Sequence, residues 1–144
     1  MKIIDGGVTA AKGFKAAGMH AGIKKGTKKD MAMIVSSAPC MAAGTFTTNL
    51  VKAAPVKWDQ HVVYEHGEAR VVVVNSGIAN ACTGAEGYGY CEETAKAAAE
   101  ALKIPADGVL IGSTGVIGMQ MPIEKLKQGI QILAKEKQSG AVAA

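Results

Sequence analysis

The stretch Gly112-Ser113-Thr114-Gly115-Val116-Ile117-Gly118 combines residue types that can hold a negative charge. Glycine tolerates positive φ and lets a backbone approach a ligand closely. Successive N–H groups in a Gly-rich turn can converge on one anion, and a hydroxyl beside them adds a donor. Such a cradle suits a phosphate or the oxyanion of an acyl-transfer intermediate. No Lys follows the last glycine, so the Gly-x-x-x-x-Gly-Lys-Ser/Thr phosphate loop is not met. A plain strand-to-helix turn with no chemistry uses the same residue types.

A second stretch, Asn75-Ser76-Gly77-Ile78-Ala79-Asn80-Ala81-Cys82-Thr83-Gly84, follows the β-branched run Arg70-Val71-Val72-Val73-Val74. That run reads as a buried central strand. Small polar residues at the end of a buried strand, before a helix, occupy the usual ligand position of α/β folds. Asn, Ser and Thr also cap helices, which is the purely structural reading. Two strand ends of the same design suggest that both face one cleft.

These two stretches, with Gly44-Thr45-Phe46-Thr47-Thr48-Asn49 and the opening Gly6-Gly7-Val8-Thr9-Ala10-Ala11-Lys12-Gly13-Phe14, make the chain resemble a known family. It is similar to the N-terminal part of the glutamate N-acetyltransferases, or ornithine acetyltransferases, of arginine biosynthesis. The resemblance implies a precursor that cleaves itself into α and β chains. The new N-terminal Thr of the β chain is then the nucleophile that moves acetyl from N-acetylornithine to glutamate. It also implies that Thr114 and Gly115 form the oxyanion hole. The expected partner is the β chain of the same precursor, in an α2β2 heterotetramer. No cofactor or metal is expected, although some members accept acetyl-CoA as a donor substrate. The implied fold is a layered sandwich of β-sheets covered by helices and completed by the β chain. The self-cleavage site and nucleophile of the family fall beyond Ala144, so residues 1–144 are expected to be one domain, an α-chain piece truncated before that site and inactive alone.

Composition agrees with a globular piece. Hydrophobic residues make up 49% of the 144, charged residues 19% and aromatics only 4%. The core must therefore be built from Val, Ile, Ala and Met with closely packed backbones. The formal charge is +4 and the pI about 9.0. Lys24, Lys25, Lys28 and Lys29 cluster around Gly26-Thr27, but no aromatic residue interleaves to stack a base. A solvated loop is expected there, and no nucleic-acid partner. Cys40, Cys82 and Cys91 are odd in number and irregular in spacing, which argues against a disulfide framework and for a reducing cytoplasm. Cys82 lies in the Asn-rich stretch, where a nucleophile has to be considered, but no His is near it in sequence. His20, His61 and His66 are scattered. No apolar run approaches the roughly 20 residues of a membrane span.

Two rival readings remain: a phosphate- or nucleotide-binding α/β module built on Gly112–Gly118, and a structural subunit that contributes nothing to catalysis. The first lacks the Lys and the downstream acidic residue such sites use.

The positioning elements follow from periodicity. The Lys2–Ile4 segment reads as an extended start, and Gly13–Ile23 as a strand. Met31–Ser37 and Ala42–Thr48 read as two strands of a hairpin broken at Pro39. Pro55–Lys57 reads as a short strand, Trp58–Glu65 as helix-leaning and Arg70–Asn75 as a strand. A helix is predicted from about Tyr88 to Leu102, with Ala95, Ala98, Ala99 and Leu102 on one stripe. The Val109–Ile111 run is the next strand. Ile123, Leu126, Ile130 and Leu133 then give one face of a helix ending near Lys137, with Gly140 as its stop. Strand–helix–strand–helix in the second half gives an α/β, or mixed α+β, class.

Overall fold

The computed structural model describes residues 7–136. The expectations for the extended start, for Lys137 and for Gly140 lie outside those residues. The strands are β1 (Phe14–Met19), β2 (Met31–Met41), β3 (Glu68–Ile78) and β4 (Val109–Val116). They form one sheet in sequence order, antiparallel from β1 to β3 and parallel between β3 and β4. The α-helices are α1 (Ala54–His61), α2 (Gly84–Leu102) and α3 (Ile123–Glu136). The mixed α/β class is therefore as the sequence implies.

Alternation along the strands separates two faces. Met31, Met33, Val35, Val71, Val73, Val109 and Ile111 are buried. They pack under the helices: α3 over β1 and β2, α2 over β3 and β4, and α1 beside β4. The alanine stripe of α2 does what its composition requires. Ala95 and Ala98 are fully buried, so the helix backbone lies close to the sheet. In α3, Leu126, Ile130 and Leu133 form the buried face. The opposite sheet face carries Ala32, Ile34, Val72, Val74, Leu110 and Gly112, joined across the ladders and only half-buried. No described residue forms a layer over it.

Four sequence expectations are corrected. First, β2 does not break at Pro39 but runs on to Met41. Past Ser36 it has no β1 partner, and its register with β3 shifts between Val35 and Cys40, so Pro39 owes no ladder hydrogen bond there. The Ala42–Thr48 segment has no regular structure, so the expected hairpin does not form. Second, Pro55 starts a helix instead of a strand; it sits in the first turn of α1, where a missing N–H costs nothing. Third, α2 begins at Gly84, a turn before Tyr88. Its start is locked by side chains: the Thr83 hydroxyl donates to Asn80 Oδ1 at 2.6 Å, and Asn80 Nδ2 donates to the Gly87 carbonyl at 2.8 Å. Fourth, the Gly-rich segment expected as a turn after Ile111 is extended strand through Val116.

Candidate functional site: where β4 leaves the sheet

The two strand ends singled out in the sequence are hydrogen-bonded neighbours. Asn75 pairs with Ser113, Ser76 with Thr114, Gly77 with Gly115 and Ile78 with Val116. The Ala79 N–H continues the ladder by donating to the Val116 carbonyl at 3.0 Å. Both glycines are required. Gly77 has φ +115 and Gly115 has φ +135, a region that L side chains rarely enter. A Cβ on Gly115 would collide with the carbonyl carbon and oxygen of Gly77 and meet Ile78 N at 2.6 Å. The two backbones thus touch where any side chain would part them.

The direction of the β4 donors can be read from its outer edge. The Trp58 indole donates to the Val109 carbonyl at 2.8 Å, and the Ile111 N–H donates to Asp59 Oδ1 at 2.9 Å. Val109 and Ile111 therefore turn their main-chain groups away from β3, towards α1. Main-chain direction alternates along a strand. Ser113 and Gly115 consequently present theirs to the same free edge, beyond the reach of Trp58 and Asp59. Thr114, opposite Ser76, takes the open sheet face with Gly112 and Leu110. Thr114 through Gln120 are exposed, and the Thr114 hydroxyl takes no hydrogen bond among the described residues. A free hydroxyl and a free N–H one residue apart can both donate to one oxygen. This is an extended edge, not a loop wrapped around a phosphate, which removes the structural basis of the nucleotide-module reading.

The surroundings are fixed by buried polar groups. Asn75 is 2% exposed and donates through Nδ2 to the Ile78 carbonyl at 3.0 Å, which holds the chain as it leaves β3. Burial pushes the Asp59 carboxyl up to about 6, against the Ile111 N–H that favours its ionised form. Burial, with Asp59 adding its charge, pushes the Cys91 thiol up to about 12, so Cys91 behaves as core. Cys82 is exposed at φ +57 in a concavity of about 200 Å³ shared with Lys52, Lys57 and Thr83, and no His lines it. His61 pairs with Glu65 at 3.1 Å and His66 with Asp107 at 3.3 Å. Among the described residues, no group of three or more His, Cys, Asp or Glu side chains is placed to hold a metal ion, and no helix is long and apolar enough to cross a membrane.

The sequence drew attention to the lysine-rich segment only for its charge. Its corner comes against the site: a Cβ on Gly77 would meet Lys24 Cγ at 2.8 Å and Ile23 Cγ2 at 3.1 Å. The only sequence signal was an aspartate, Asp30, closing a run of lysines.

A four-stranded mixed sheet with helices on one face defines an α/β protein, and the paired glycines mark its candidate site at the strand termini. The sequence profile of the ArgJ family matches residues 15–144. The arginine biosynthesis bifunctional protein ArgJ of Gloeobacter violaceus is 52% identical over 143 residues, covering 97% of this chain and 35% of its own length. The protein of that name from Caldanaerobacter subterraneus is 46% identical over 146 residues, covering 100% of this chain and 36% of its own. Among solved structures, the ornithine acetyltransferase of Mycobacterium tuberculosis, complexed with ornithine, superposes with TM-score 0.90 at 45% identity, over 94% of this chain and 73% of that one. ArgJ of Bacillus halodurans superposes with TM-score 0.83 at 42% identity, over 88% of this chain and 65% of that one. The chain belongs to the ArgJ family. It spans about a third of the length of the curated relatives it matches.

Proposed function

We propose that this chain supplies the oxyanion side of a glutamate N-acetyltransferase that moves acetyl from N-acetylornithine to glutamate. The observation that carries the reading is the exposed Thr114 hydroxyl, unpartnered among the described residues, next to a Gly115 N–H that the alternation of β4 turns to its outer edge. The nucleophile is the N-terminal Thr of a β chain cut from the same precursor. Its hydroxyl adds to the acetyl carbonyl of N-acetylornithine while its own amine takes the proton. The carbonyl oxygen becomes an anion and is received by Thr114 and Gly115, which need no reorganisation to bind it. Collapse expels ornithine, which takes the proton back, and leaves acetyl on the Thr. The glutamate amine then attacks this ester through a second tetrahedral anion held at the same place; its proton passes by way of the Thr amine to the Thr oxygen, which leaves, releasing N-acetylglutamate and the free Thr. Acetyl-CoA, a thioester, is a second acetyl donor that can enter the same site, and no cofactor enters either half-reaction.

The open sheet face supports the partner reading. Ile34, Val72, Val74 and Leu110 form an apolar carpet with small residues between them, suited to a second sheet. In this reading that sheet comes largely from the β chain, the assembly is an α2β2 heterotetramer, and the enzyme works in the cytoplasm. Similarity to a structure holding ornithine supports the amino-acid substrate class.

The test is Thr114→Ala in the full-length protein, assayed for acetyl transfer from N-acetylornithine to glutamate. A fall of about 10²–10³ in kcat with assembly intact is expected. Undiminished transfer would refute the oxyanion role.

A further inference from the structure

The segment between β1 and β2 is gathered by one carboxylate. Asp30 is 2% exposed, and its carboxylate accepts the N–H groups of Ala21 at 2.6 Å, Ile23 at 2.8 Å and Lys24 at 2.9 Å. Its main chain is tied on both sides: its N–H donates to the Met19 carbonyl at 2.9 Å, and its carbonyl accepts the Ser76 N–H at 2.8 Å. Ser76 is the residue paired with Thr114. One residue thus holds the 21–24 corner with its side chain and the end of β3 with its backbone.

The corner so held lies against Gly77, through Ile23 Cγ2 and Lys24 Cγ. Gly77 in turn lies against the α-carbon of Gly115. Contact therefore runs without a gap from Asp30 through Ile23 and Lys24 to Gly77 and Gly115. Burial acts to raise the Asp30 carboxyl, but the N–H groups of Lys24, Ala21 and Ile23 outweigh it and hold the group below the usual carboxylate range. His20 Nδ1, 3.3 Å from Oδ2, acts in the same direction. The carboxylate is anchored as an anion that only accepts, so its donors have one arrangement available. Lys125 braces the same corner by donating to the Gly22 carbonyl at 2.6 Å.

We propose that Asp30 is a positioning residue for the acyl-transfer site: it sets the Ile23–Lys24 corner behind Gly77 and thereby fixes the backbone of Gly115. The proposal rests on the oxyanion reading of Thr114 and Gly115. The Asp30 side chain bonds away from the reacting atoms and acts only through the residues it holds.

The experiment is Asp30→Asn in the full-length protein. The amide keeps the size but turns one acceptor oxygen into a donor that faces N–H groups, so at least one of the three bonds is lost. We expect kcat for transfer to fall about 10-fold or more while KM for N-acetylornithine changes less than about 2-fold. Amide exchange followed by mass spectrometry is expected to speed up in residues 21–24 and in 113–117, and to stay unchanged in α2. Ile23→Ala, which removes packing against Gly77 and leaves the carboxylate in place, is expected to shift kcat in the same direction and serves if Asp30→Asn does not fold. An unchanged kcat in the folded variant, or faster exchange confined to 21–24, overturns the proposal. Thr114→Ala run in parallel separates the two ideas. Loss of transfer there with normal transfer in Asp30→Asn removes only the positioning role, whereas normal transfer in Thr114→Ala removes the oxyanion reading and the positioning role with it.

Discussion

The carboxylate of Asp59 accepts the Ile111 N–H at 2.9 Å and thereby occupies the outer edge of β4 two residues before Ser113 and four before Gly115. The carboxyl protonates near pH 6 in the folded protein, because burial disfavours its charge, and near about 4 in an unfolded chain. Between these values the folded state binds more protons than the unfolded state, so stability is expected to fall as pH rises from about 4 to about 6. The size of this component is on the order of 2 kcal/mol. Asp59→Asn keeps an oxygen for Ile111 and removes the ionisation, so its Tm should lose that decline. A Tm profile across this range, wild type against variant, checks the sign. A parallel decline in both would show that another group is responsible.

Trp58→Phe tests the other edge bond. The indole N–H meets the Val109 carbonyl at 2.8 Å in a buried place, and Phe keeps most of the ring while leaving that carbonyl without its partner. A loss of about 1–3 kcal/mol is expected in denaturant unfolding. Transfer kinetics should change little, because Val109 lies six residues from Gly115 on the same strand.

Gly115→Ala is expected to damage both stability and chemistry. The new methyl would strike the Gly77 carbonyl group, and φ +135 is unfavourable for alanine. A cost of about 1–3 kcal/mol from strain is expected, with a fall in kcat at least as large as that of Thr114→Ala. A variant that kept wild-type kcat would show that the paired glycines are not needed for the chemistry.

Two glycines in α2 should respond in opposite ways. Among the described residues nothing lies within 4 Å of where a Cβ on Gly89 would sit, so Gly89→Ala is expected to stabilise by about 1 kcal/mol. Gly87 faces the Thr83 hydroxyl and has Asn80 Oδ1 at 2.7 Å from the same point, so Gly87→Ala breaks the lock that starts the helix. Thermal melts of the pair should move to opposite sides of wild type.

On the open sheet face, Val72→Asp is expected to abolish association with the proposed β chain, read by size exclusion and co-purification. Lys96→Ala, on the outer surface of α2, should leave assembly unchanged. Normal assembly of Val72→Asp would exclude this face as the seat of the partner.

The strongest periodicities were legible in sequence. The Val71–Val74 run is the middle of a central strand, and Leu126, Ile130 and Leu133 form the buried side of α3. Both arise from local pattern and burial acting together. Proline was misread twice for one physical reason: its meaning depends on whether its missing N–H would have had a partner, which only the tertiary pairing decides. At Pro39 the ladder is already displaced, and at Pro55 the position is a first helical turn. For the site, residue types and the adjacency of two strand ends were legible. The direction of the Gly115 N–H was not, because it depends on which β4 residues face β3 across a parallel register formed by distant segments. Asp30 was equally hidden: its donors are main-chain groups, which carry no signature in the sequence.

The two edge bonds of Trp58 and Asp59 also bear on self-association. An edge strand with idle N–H and C=O groups is a template for the edge of another molecule, and long apolar edges tend to polymerise. Here, in the apolar part of β4, the outward Val109 carbonyl and Ile111 N–H are already engaged by α1. The part left bare is Ser113 to Gly115, polar and ended by a glycine whose backbone is unsuited to regular pairing. Two of the groups that this apolar edge would offer a copy of the molecule are thus taken within the chain, and the span beyond them is short, polar and interrupted by a glycine at φ +135.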